Sequence, residues 1–218
     1  MARTRVMVVD DDDFTRSMLV TTLQMQDFDV VIESGSAAVA IKAAQMLKPD
    51  VALLDLDLGL GPNGIDLALA LRRALPKIGI VMLTTFEDPR LLSPNMPMLP
   101  VGSIYLIKKE TSKIDRLSNA IEEAIRNANN LTKRDKLVMP PKSELTDNQI
   151  EIMRLVANGH SNMQIAKLRG INEKSVEQTI SRLAKELGLK SDLDKNLRVQ
   201  ISRLYYQMTG AGPTKHAK

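Results

Sequence analysis

The sequence contains no cysteine or tryptophan, only two histidines, and 3% aromatic residues. Without cysteine the chain can form neither a disulfide scaffold nor a thiolate metal site, and two histidines are too few for a zinc centre. A long hydrophobic run is also missing, because the apolar stretch at residues 6–9 leads directly into four aspartates. These absences exclude a secretory signal and a membrane span, so we expect a cytoplasmic protein with no membrane partner.

The net charge of +4 is distributed unevenly along the chain. Residues 1–127 carry 14 basic and 17 acidic side chains, whereas residues 128–218 carry 16 basic and 9 acidic ones. The first part therefore has a net charge of −3 and the second of +7. An excess of positive charge favours a polyanionic partner such as nucleic acid, although a solvated basic face is the alternative interpretation.

Short apolar runs alternate with amphipathic patterns in the first half of the chain. The runs predict five strands, at residues 6–9, 30–31, 51–54, 80–83 and 104–107. The patterns between and after them predict helices at residues 15–26, 36–47, 65–74 and 113–127. Strands that are apolar throughout are buried on both faces, which is typical of parallel sheets. We therefore predict an α/β doubly wound five-stranded parallel sheet, with its ligands at the carboxyl ends of the strands.

The second half has helical patterns and no convincing strand. Helices are predicted at residues 147–157, 162–168, 173–187 and 193–208, and the first two begin with capping-box sequences, at Thr146 and Ser161. A polar, basic stretch with a Pro-Pro pair precedes them. The expected organisation is an α/β domain at residues 1–127, a linker at 128–143, an all-α domain at 144–210 and a disordered tail at 211–218.

Polar side chains follow four of the five predicted strands. Asp10 and Asp11 come after the first strand, Asp55 after the third, and Thr84 and Lys108 end the fourth and fifth. The carboxyl ends of parallel strands meet at one edge, where clustered carboxylates repel one another unless a hard cation lies among them. Oxygen-only ligands suit Mg²⁺, so the pattern predicts a magnesium site. In the alternative interpretation, the acidic run is only a solvated helix N-terminus.

Four strings resemble the receiver domain of bacterial two-component response regulators, over about residues 3 to 127. They are VMVVDDDDFTR, PDVALLDLDLG, GIVMLTT and GSIYLIKKE. The resemblance implies a flavodoxin-like fold in which Asp55 is the phosphoacceptor for a sensor histidine kinase. It also implies that Mg²⁺ is held by Asp10, Asp11, Asp55 and the backbone carbonyl of Asp57.

The same resemblance assigns roles to three further residues of the pocket. Thr84 would contact the phosphoryl group, Lys108 would pair with it, and Tyr105 would be the aromatic residue that switches together with Thr84. A carboxylate next to a divalent cation can attack an in-line phosphoryl donor, because the cation neutralises charge on the incoming oxygens. The domain would then carry out one half of a phosphotransfer reaction.

The sequence departs from the family pattern in two regions. The loop LDLGLGPNG, which follows Asp55, is one residue longer than usual up to Gly64, and Gly59 stands where proline is common. The stretch EDPRLLSPNMPMLPVG has four prolines where the family has its fourth helix. Each interior proline costs a helix about 3 kcal/mol, so we expect this helix to be short, broken or absent. Because that region commonly relays activation in the family, its loss predicts an atypical output.

Residues 145–189 resemble the helix-turn-helix of the LuxR/NarL family of regulators. The third predicted helix, at residues 173–187, would then be the recognition helix, with a core stripe of Val176, Ile180, Leu183 and Leu187. Its outward side chains would contact double-stranded DNA, and they are Lys174, Gln178, Ser181, Arg182 and Lys185. The cations suit phosphates, whereas Gln178 and Arg182 can read base edges. A protein-interaction module with a solvated basic face is the alternative.

The last predicted helix has an apolar stripe that begins at Leu193 and ends at Met208. The adjacent tyrosines, Tyr205 and Tyr206, would suit a dimer contact, and the family often dimerises through its last helix. We therefore expect a homodimer on DNA.

Three functions are consistent with these features. The first is a transcription regulator controlled by phosphorylation of Asp55. The second is a constitutive DNA binder that has kept the receiver fold without its switch. The third is a phosphatase of the haloacid-dehalogenase type, because Asp55-Leu56-Asp57 follows a strand as that family's motif does. The order of residues argues against the third function, since that family's acidic metal pair comes last and Asp10 and Asp11 come first. We therefore do not expect an enzyme.

Overall fold

The structure is a computed structural model that describes residues 3–93, 96–112, 114–132, 137–140, 142–189 and 196–210. The predicted tail at 211–218 and the predicted start of the last helix at 193–195 lie outside these residues. Contacts divide the chain into two units. One unit comprises Met1–Thr85 and Pro97–Pro140, and the other comprises Phe86–Met96 and Pro141–Lys218.

The first unit contains the predicted five-stranded parallel sheet, which confirms the fold class. Its strands, in chain order, are β1 (Arg5–Val9), β2 (Asp29–Ser34), β3 (Val51–Leu54), β4 (Gly79–Thr84) and β5 (Ile104–Ile107). Their order in the sheet is β2-β1-β3-β4-β5, and every neighbouring pair is parallel. All five strands therefore end at the same edge, and β1, β3 and β4 lie side by side in its centre.

In the part of the first unit that the structure describes, the α-helices are α1 (Asp13–Met25), α2 (Ala37–Leu47), α3 (Gly64–Ala74) and α4 (Ile114–Asn129). Alternate strand residues such as Val8, Leu53 and Val81 form a buried cluster with Leu117 and Ile121 of α4. The intervening strand residues are buried as well, because helices cover both faces of the sheet.

The predicted linker at 128–143 differs from the structure at two places. Helix α4 continues to Asn129. Val138 pairs with Leu99 in an antiparallel bridge, in which each residue donates its backbone N–H to the other's carbonyl oxygen, at 2.8 and 2.9 Å. The composition of this stretch suggested a linker, but backbone hydrogen bonds tie part of it to the first unit. The predicted domain limits remain predictions.

Between β4 and β5 the described residues contain no α-helix. They contain only a 3-10 turn at Pro89–Leu91, with Asp88 as its N-cap. This confirms the expectation from the prolines, since each proline lacks the N–H that a helix interior requires.

Within its described residues, the second unit has four α-helices: α5 (Asp147–Ala157), α6 (Asn162–Arg169), α7 (Glu173–Glu186) and α8 (Leu197–Thr209). Both predicted capping boxes are present, at Thr146 with Gln149 and at Ser161 with Gln164. Helix α5 packs against α7 and α8, and α6 packs against α7. Among the described residues, no helix is both long and apolar enough to cross a membrane.

The buried face of α8 differs from the predicted stripe. Ile201, Tyr205 and Thr209 are buried at intervals of four residues, whereas Leu204 and Met208 are only half-buried. Tyr205 is 4% exposed and its hydroxyl donates to the carbonyl oxygen of Leu91 at 3.3 Å. The suggestion that Tyr205 makes a dimer contact was therefore wrong, because its side chain is used inside the second unit.

Candidate functional site

The sheet register brings the predicted pocket residues of the first unit together. Val9 of β1 pairs with Leu54 of β3, so Asp10 and Asp55 follow neighbouring strands at the same level. Thr84 is the last residue of β4 and pairs with Ile107, directly before Lys108. The ends of four adjacent strands thus place these acidic, hydroxyl and ammonium residues along one edge of the sheet.

Lys108 bridges the two buried carboxylates. Its Nζ donates to Asp10 Oδ2 at 2.6 Å and to Asp55 Oδ2 at 2.7 Å. Asp10 and Asp55 are buried, whereas Asp11 is exposed, and carboxylate oxygens of all three lie within 4.8 Å of one another. Three acidic groups around a single ammonium leave an excess of negative charge at the mouth of the pocket.

Burial makes ionisation of Asp55 difficult. Desolvation raises the pKa of Asp55 to about 6, against the attraction of Lys108 and with a smaller contribution from the charge of Asp10. Burial alone would lower the pKa of Lys108, but attraction to Asp55 and its hydrogen bond to Asp10 raise it above its ordinary value. Lys108 is therefore charged at neutral pH, and it partly stabilises the carboxylate form of Asp55.

The donor set fits a hard divalent cation. Asp10, Asp11 and Asp55 offer only carboxylate oxygens, and these oxygens converge from two neighbouring strand ends. A divalent cation among them would offset the repulsion and the cost of burying Asp55. No further histidine, cysteine or acidic group among the described residues joins this cluster.

Backbone donors and an arginine hold the two buried aspartates in place. The amide N–H of Leu56 donates to Asp55 Oδ1 at 2.6 Å, and that of Asp12 donates to Asp10 Oδ1 at 3.1 Å. Arg16 Nη1 donates to the backbone carbonyl oxygen of Asp10 at 2.7 Å. Arg16 was not predicted as a site residue, although it lies one helical turn after the Asp12 N-cap of α1, where its side chain can fold back towards the pocket.

Glycines shape the loop that follows Asp55. Gly59 has a φ of +74°, which a proline cannot adopt because its ring fixes φ near −65°. The departure from the family pattern at this position therefore matches the local backbone. Gly64 lies against the end of β3, since a Cβ atom there would meet the backbone oxygen of Asp55 at 1.9 Å. Only glycine permits this approach between the start of α3 and the end of β3.

The exposed face of α7 carries the predicted DNA-contacting residues. All five of them are exposed, and they are Lys174, Gln178, Ser181, Arg182 and Lys185. The opposite face buries Val176, Ile180, Leu183 and Ala184, whereas Leu187, predicted as core, is half-buried and forms the C-cap. The helix thus presents a polar face with three cations and keeps its apolar residues inside the unit.

Two hydrogen bonds fix the ends of α7. Asn172 caps the N-terminus, where its side chain accepts from the Ser175 amide at 2.8 Å. At the other end, the buried Gln149 of α5 donates from Nε2 to Glu186 Oε2 at 2.6 Å. Gln149 was predicted only as a capping residue. The structure shows that it also joins α5 to α7.

Two family models match the chain in this arrangement. The response regulator receiver domain matches residues 6–122, and the bacterial regulatory proteins of the luxR family match residues 143–195. The response regulator protein VraR of Staphylococcus epidermidis is 32% identical over 197 residues, which cover 84% of this chain and 90% of that protein. VraR of Staphylococcus aureus strain Mu3 is also 32% identical over the same length. This chain belongs to the response regulator family. It combines a receiver domain with a LuxR-type DNA-binding domain.

Solved structures of response regulators share the fold. A structure described as the two-component response regulator RcsB-DNA complex has a TM-score of 0.52 and 19% identity, and the match covers 95% of this chain and 99% of that one. A structure of two RcsB dimers bound to two parallel DNAs has a TM-score of 0.51 and 21% identity, with 95% and 100% covered. Both support the two-part architecture of this response regulator.

Three pocket residues of this response regulator have predicted roles that the geometry does not test. Thr84 is fully buried and Tyr105 is half-buried. Asp57 is half-buried, and its carboxylate accepts from the Gly59 amide at 3.1 Å. The metal-binding role of the Asp57 backbone carbonyl, and the switching roles of Thr84 and Tyr105, remain predictions.

Proposed function

We propose that this response regulator accepts a phosphoryl group on Asp55 from a sensor histidine kinase in the cytoplasm and thereby controls the binding of its LuxR-type domain to double-stranded DNA. The observation that carries the proposal is the bridge from Lys108 to Asp10 and Asp55, with Asp11 beside it. In this arrangement Asp55 would be the buried nucleophile, and Asp10 and Asp11 would bind the metal. Lys108 could pair with the negative charge of the phosphorylated product.

The proposed transfer forms one bond and breaks another. An Oδ atom of Asp55 attacks the phosphorus of a phosphohistidine, the phosphorus–nitrogen bond breaks, and the imidazole leaves with a proton from solvent. The product on Asp55 is an acyl phosphate. Nucleophilic attack requires the carboxylate form of Asp55, which Lys108 stabilises against desolvation.

Magnesium fits the acidic side of this pocket. The ligands would be Asp10, Asp11, Asp55 and the backbone carbonyl of Asp57. When bound, Mg²⁺ would neutralise charge on the phosphoryl oxygens. Lys108 would turn from Asp55 to a phosphoryl oxygen, and the hydroxyl of Thr84 would contact another. Tyr105 would follow the movement of Thr84 as the second switch residue.

The LuxR-type domain would bind the major groove with α7. Lys174, Ser181 and Lys185 would contact phosphates, while Gln178 and Arg182 have the donor patterns for base edges. RcsB is bound to DNA in two solved structures, as dimers in one of them. We extend that assembly to this chain and propose a homodimer on DNA.

The test is DNA affinity with and without a phosphoryl mimic. We expect beryllofluoride with Mg²⁺ to tighten DNA binding in fluorescence anisotropy titrations, and Asp55→Asn to abolish the gain. Asp115→Asn is the matched control, because it removes an exposed carboxylate in the same unit and should retain the full gain. Equal wild-type affinity in both conditions would contradict control by phosphorylation.

A constitutive DNA binder is the second candidate function. The observation in its favour is that the described residues between β4 and β5 form a 3-10 turn and no α-helix. The same titration distinguishes the two functions, because a constitutive binder has equal affinity with and without beryllofluoride and is insensitive to Asp55→Asn.

A further inference from the structure

Residues 86–93, here called the docking segment, follow β4 in the chain but belong to the second unit. The segment begins two residues after Thr84 and includes the 3-10 turn. Its contacts assign it to the unit that contains α5, α6, α7 and α8. The turn packs against α5 and α8. A stretch that sequence alone would place in the receiver is thus packed into the DNA-binding unit.

A buried ion-pair network holds the middle of the docking segment. Asp88 is 0% exposed, and its Oδ2 accepts from Arg90 Nη2 at 2.7 Å. The Ser143 amide and hydroxyl donate to the same oxygen at 2.8 and 2.9 Å. Arg90 Nη1 donates to Asp147 Oδ1 at 2.7 Å, at the first residue of α5. The network therefore connects the segment to the start of the helical domain.

Two contacts with α8 hold the ends of the docking segment. The backbone N–H of Glu87 donates to the Met208 carbonyl oxygen at 3.0 Å. The carbonyl oxygen of Leu91 accepts from the Tyr205 hydroxyl at 3.3 Å, and the Leu91 side chain is 1% exposed. The segment thus combines buried apolar area with satisfied polar groups, as internal parts of a domain do.

The electrostatics of the network agree with tight docking. Burial alone would raise the pKa of Asp88, but hydrogen bonds from Arg90 and Ser143 bring it below the ordinary value. The pKa of Arg90 is raised, chiefly by its hydrogen bond to Asp88. Both groups are charged at neutral pH, and removing one partner would leave an uncompensated buried charge.

We propose that the docking segment is an integral part of the DNA-binding unit and carries the state of the phosphoacceptor pocket to it. This inference rests on the proposed function. Thr84 ends β4 at the same sheet edge as the pocket, and only Thr85 separates it from the first residue of the segment. A displacement of Thr84 therefore displaces the start of the segment, because only two peptide bonds connect Thr84 to Phe86. The contacts with Asp147 and Tyr205 transmit the displacement to α5 and α8, which pack against each other.

The experiment uses the full chain with two variants of the segment's contacts and one control. Tyr205→Phe removes the hydroxyl that bonds to Leu91, and Arg90→Gln removes the charge that joins Asp88 to Asp147. Tyr206→Phe is the control, because it removes a hydroxyl that bonds to the Ala157 carbonyl at 3.0 Å, away from the segment. DNA affinity is measured with and without beryllofluoride and Mg²⁺, and acceptance of a phosphoryl group from acetyl phosphate is measured by intact mass.

We expect all three variants to accept the phosphoryl group. The affinity gain should fall roughly 2–10-fold in Tyr205→Phe, which is the factor that one hydrogen bond supplies. It should fall further in Arg90→Gln, whereas Tyr206→Phe should keep the wild-type gain. A full gain in both docking variants would overturn the coupling.

Hydrogen exchange separates this inference from the proposed function. Arg90→Gln should speed exchange of backbone amides in α5 and α8, whether or not the protein responds to beryllofluoride. Unchanged exchange there would overturn the docking itself. If Arg90→Gln speeds exchange but the wild type gains no DNA affinity with beryllofluoride, the docking stands and the proposed function is refuted.

Discussion

Asp55 is a residue whose burial opposes its own ionisation. Its pKa is raised to about 6, from an ordinary value of 3.8, mainly by desolvation. Between these two pH values the folded protein holds a proton that the unfolded chain has released. The folded state therefore loses stability as pH rises through this window, by about 3 kcal/mol in the metal-free protein. Below pH 3.8 both states are protonated and the difference vanishes.

Replacement of Asp55 by asparagine should reverse this loss. We expect metal-free Asp55→Asn to be more stable than the wild type above pH 6, by up to about 3 kcal/mol, and nearly equal at pH 4. Urea unfolding at both pH values measures the difference. Added Mg²⁺ should stabilise the wild type more than the variant, because Asp55 is a proposed ligand. A stability difference that is the same at pH 4 and pH 7 would contradict the burial argument.

The backbone around Gly64 leaves no room for a side chain. In Gly64→Ala the new Cβ would overlap the Asp55 backbone oxygen, which lies 1.9 Å from its position. We expect a loss of about 1–3 kcal/mol in the free energy of unfolding and slower phosphorylation of Asp55. The wild type is the reference, and an unchanged phosphorylation rate in Gly64→Ala would show that the loop adapts.

At the level of helices, the junction of α5 and α7 depends on one buried amide. Gln149 accepts from the Thr146 amide in its capping box and donates to Glu186. Gln149→Glu keeps the capping acceptor but places a second carboxylate against Glu186. We expect thermal or urea unfolding to show a loss of about 1–3 kcal/mol.

Gln164→Glu is a closely matched control for this change. Gln164 occupies the same position in the capping box of α6, but it is exposed. Glutamate there preserves the cap and faces a helix N-terminus, so stability should change by less than about 0.5 kcal/mol. Equal losses in both variants would mean that the contact with Glu186 contributes nothing.

The exposed face of α7 is expected to set both affinity and salt dependence. Arg182→Ala and Lys185→Ala should weaken DNA binding, and loss of the Lys185 phosphate contact should reduce the slope of log affinity against log salt by about one. Lys42→Ala removes an exposed cation of the first unit and serves as the control. Anisotropy titrations at several salt concentrations measure the slopes. Wild-type affinity in both α7 variants, with a wild-type slope in Lys185→Ala, would indicate that another surface binds DNA.

The elements that the sequence predicted well are those with a strong local signal. Continuous apolar runs marked four of the five strands, whereas only residues 30–31 of β2 were predicted. Capping boxes marked the starts of α5 and α6. The convergence of Asp10, Asp55 and Lys108 followed from parallel strands alone. The face of α8 was harder to predict, because Leu204 and Met208 made an apolar stripe as regular as the one that is buried. Tertiary contacts, the packing of α8 against α5 and the hydrogen bond of Tyr205 to Leu91, distinguish the two stripes.

In the molecule as a whole, the assignment of residues 86–93 to the second unit could not be predicted from sequence. Residues 86–93 lie between two strands of the receiver, and the prolines indicated only that a helix there would be short, broken or absent. Their docking depends on Asp88, Arg90 and Ser143, which are up to 55 residues apart in the chain. Hydrogen bonds between residues so far apart in the chain produce no periodic pattern in the sequence. The sequence thus predicted both folds but not which of them contains this segment.

This organisation predicts that the helical domain is incomplete without the docking segment. A fragment of residues 142–218 should be less stable than the same helices in the full chain, because Ser143, Asp147 and Tyr205 lose their partners. In the full chain the segment is tethered at an effective concentration of about millimolar order. A synthetic peptide of residues 86–93 at millimolar concentration should therefore slow hydrogen exchange in α5 and α8 of the fragment. The same peptide with Asp88→Asn and Arg90→Gln should not, and a fragment as stable alone as in the full chain would contradict the prediction.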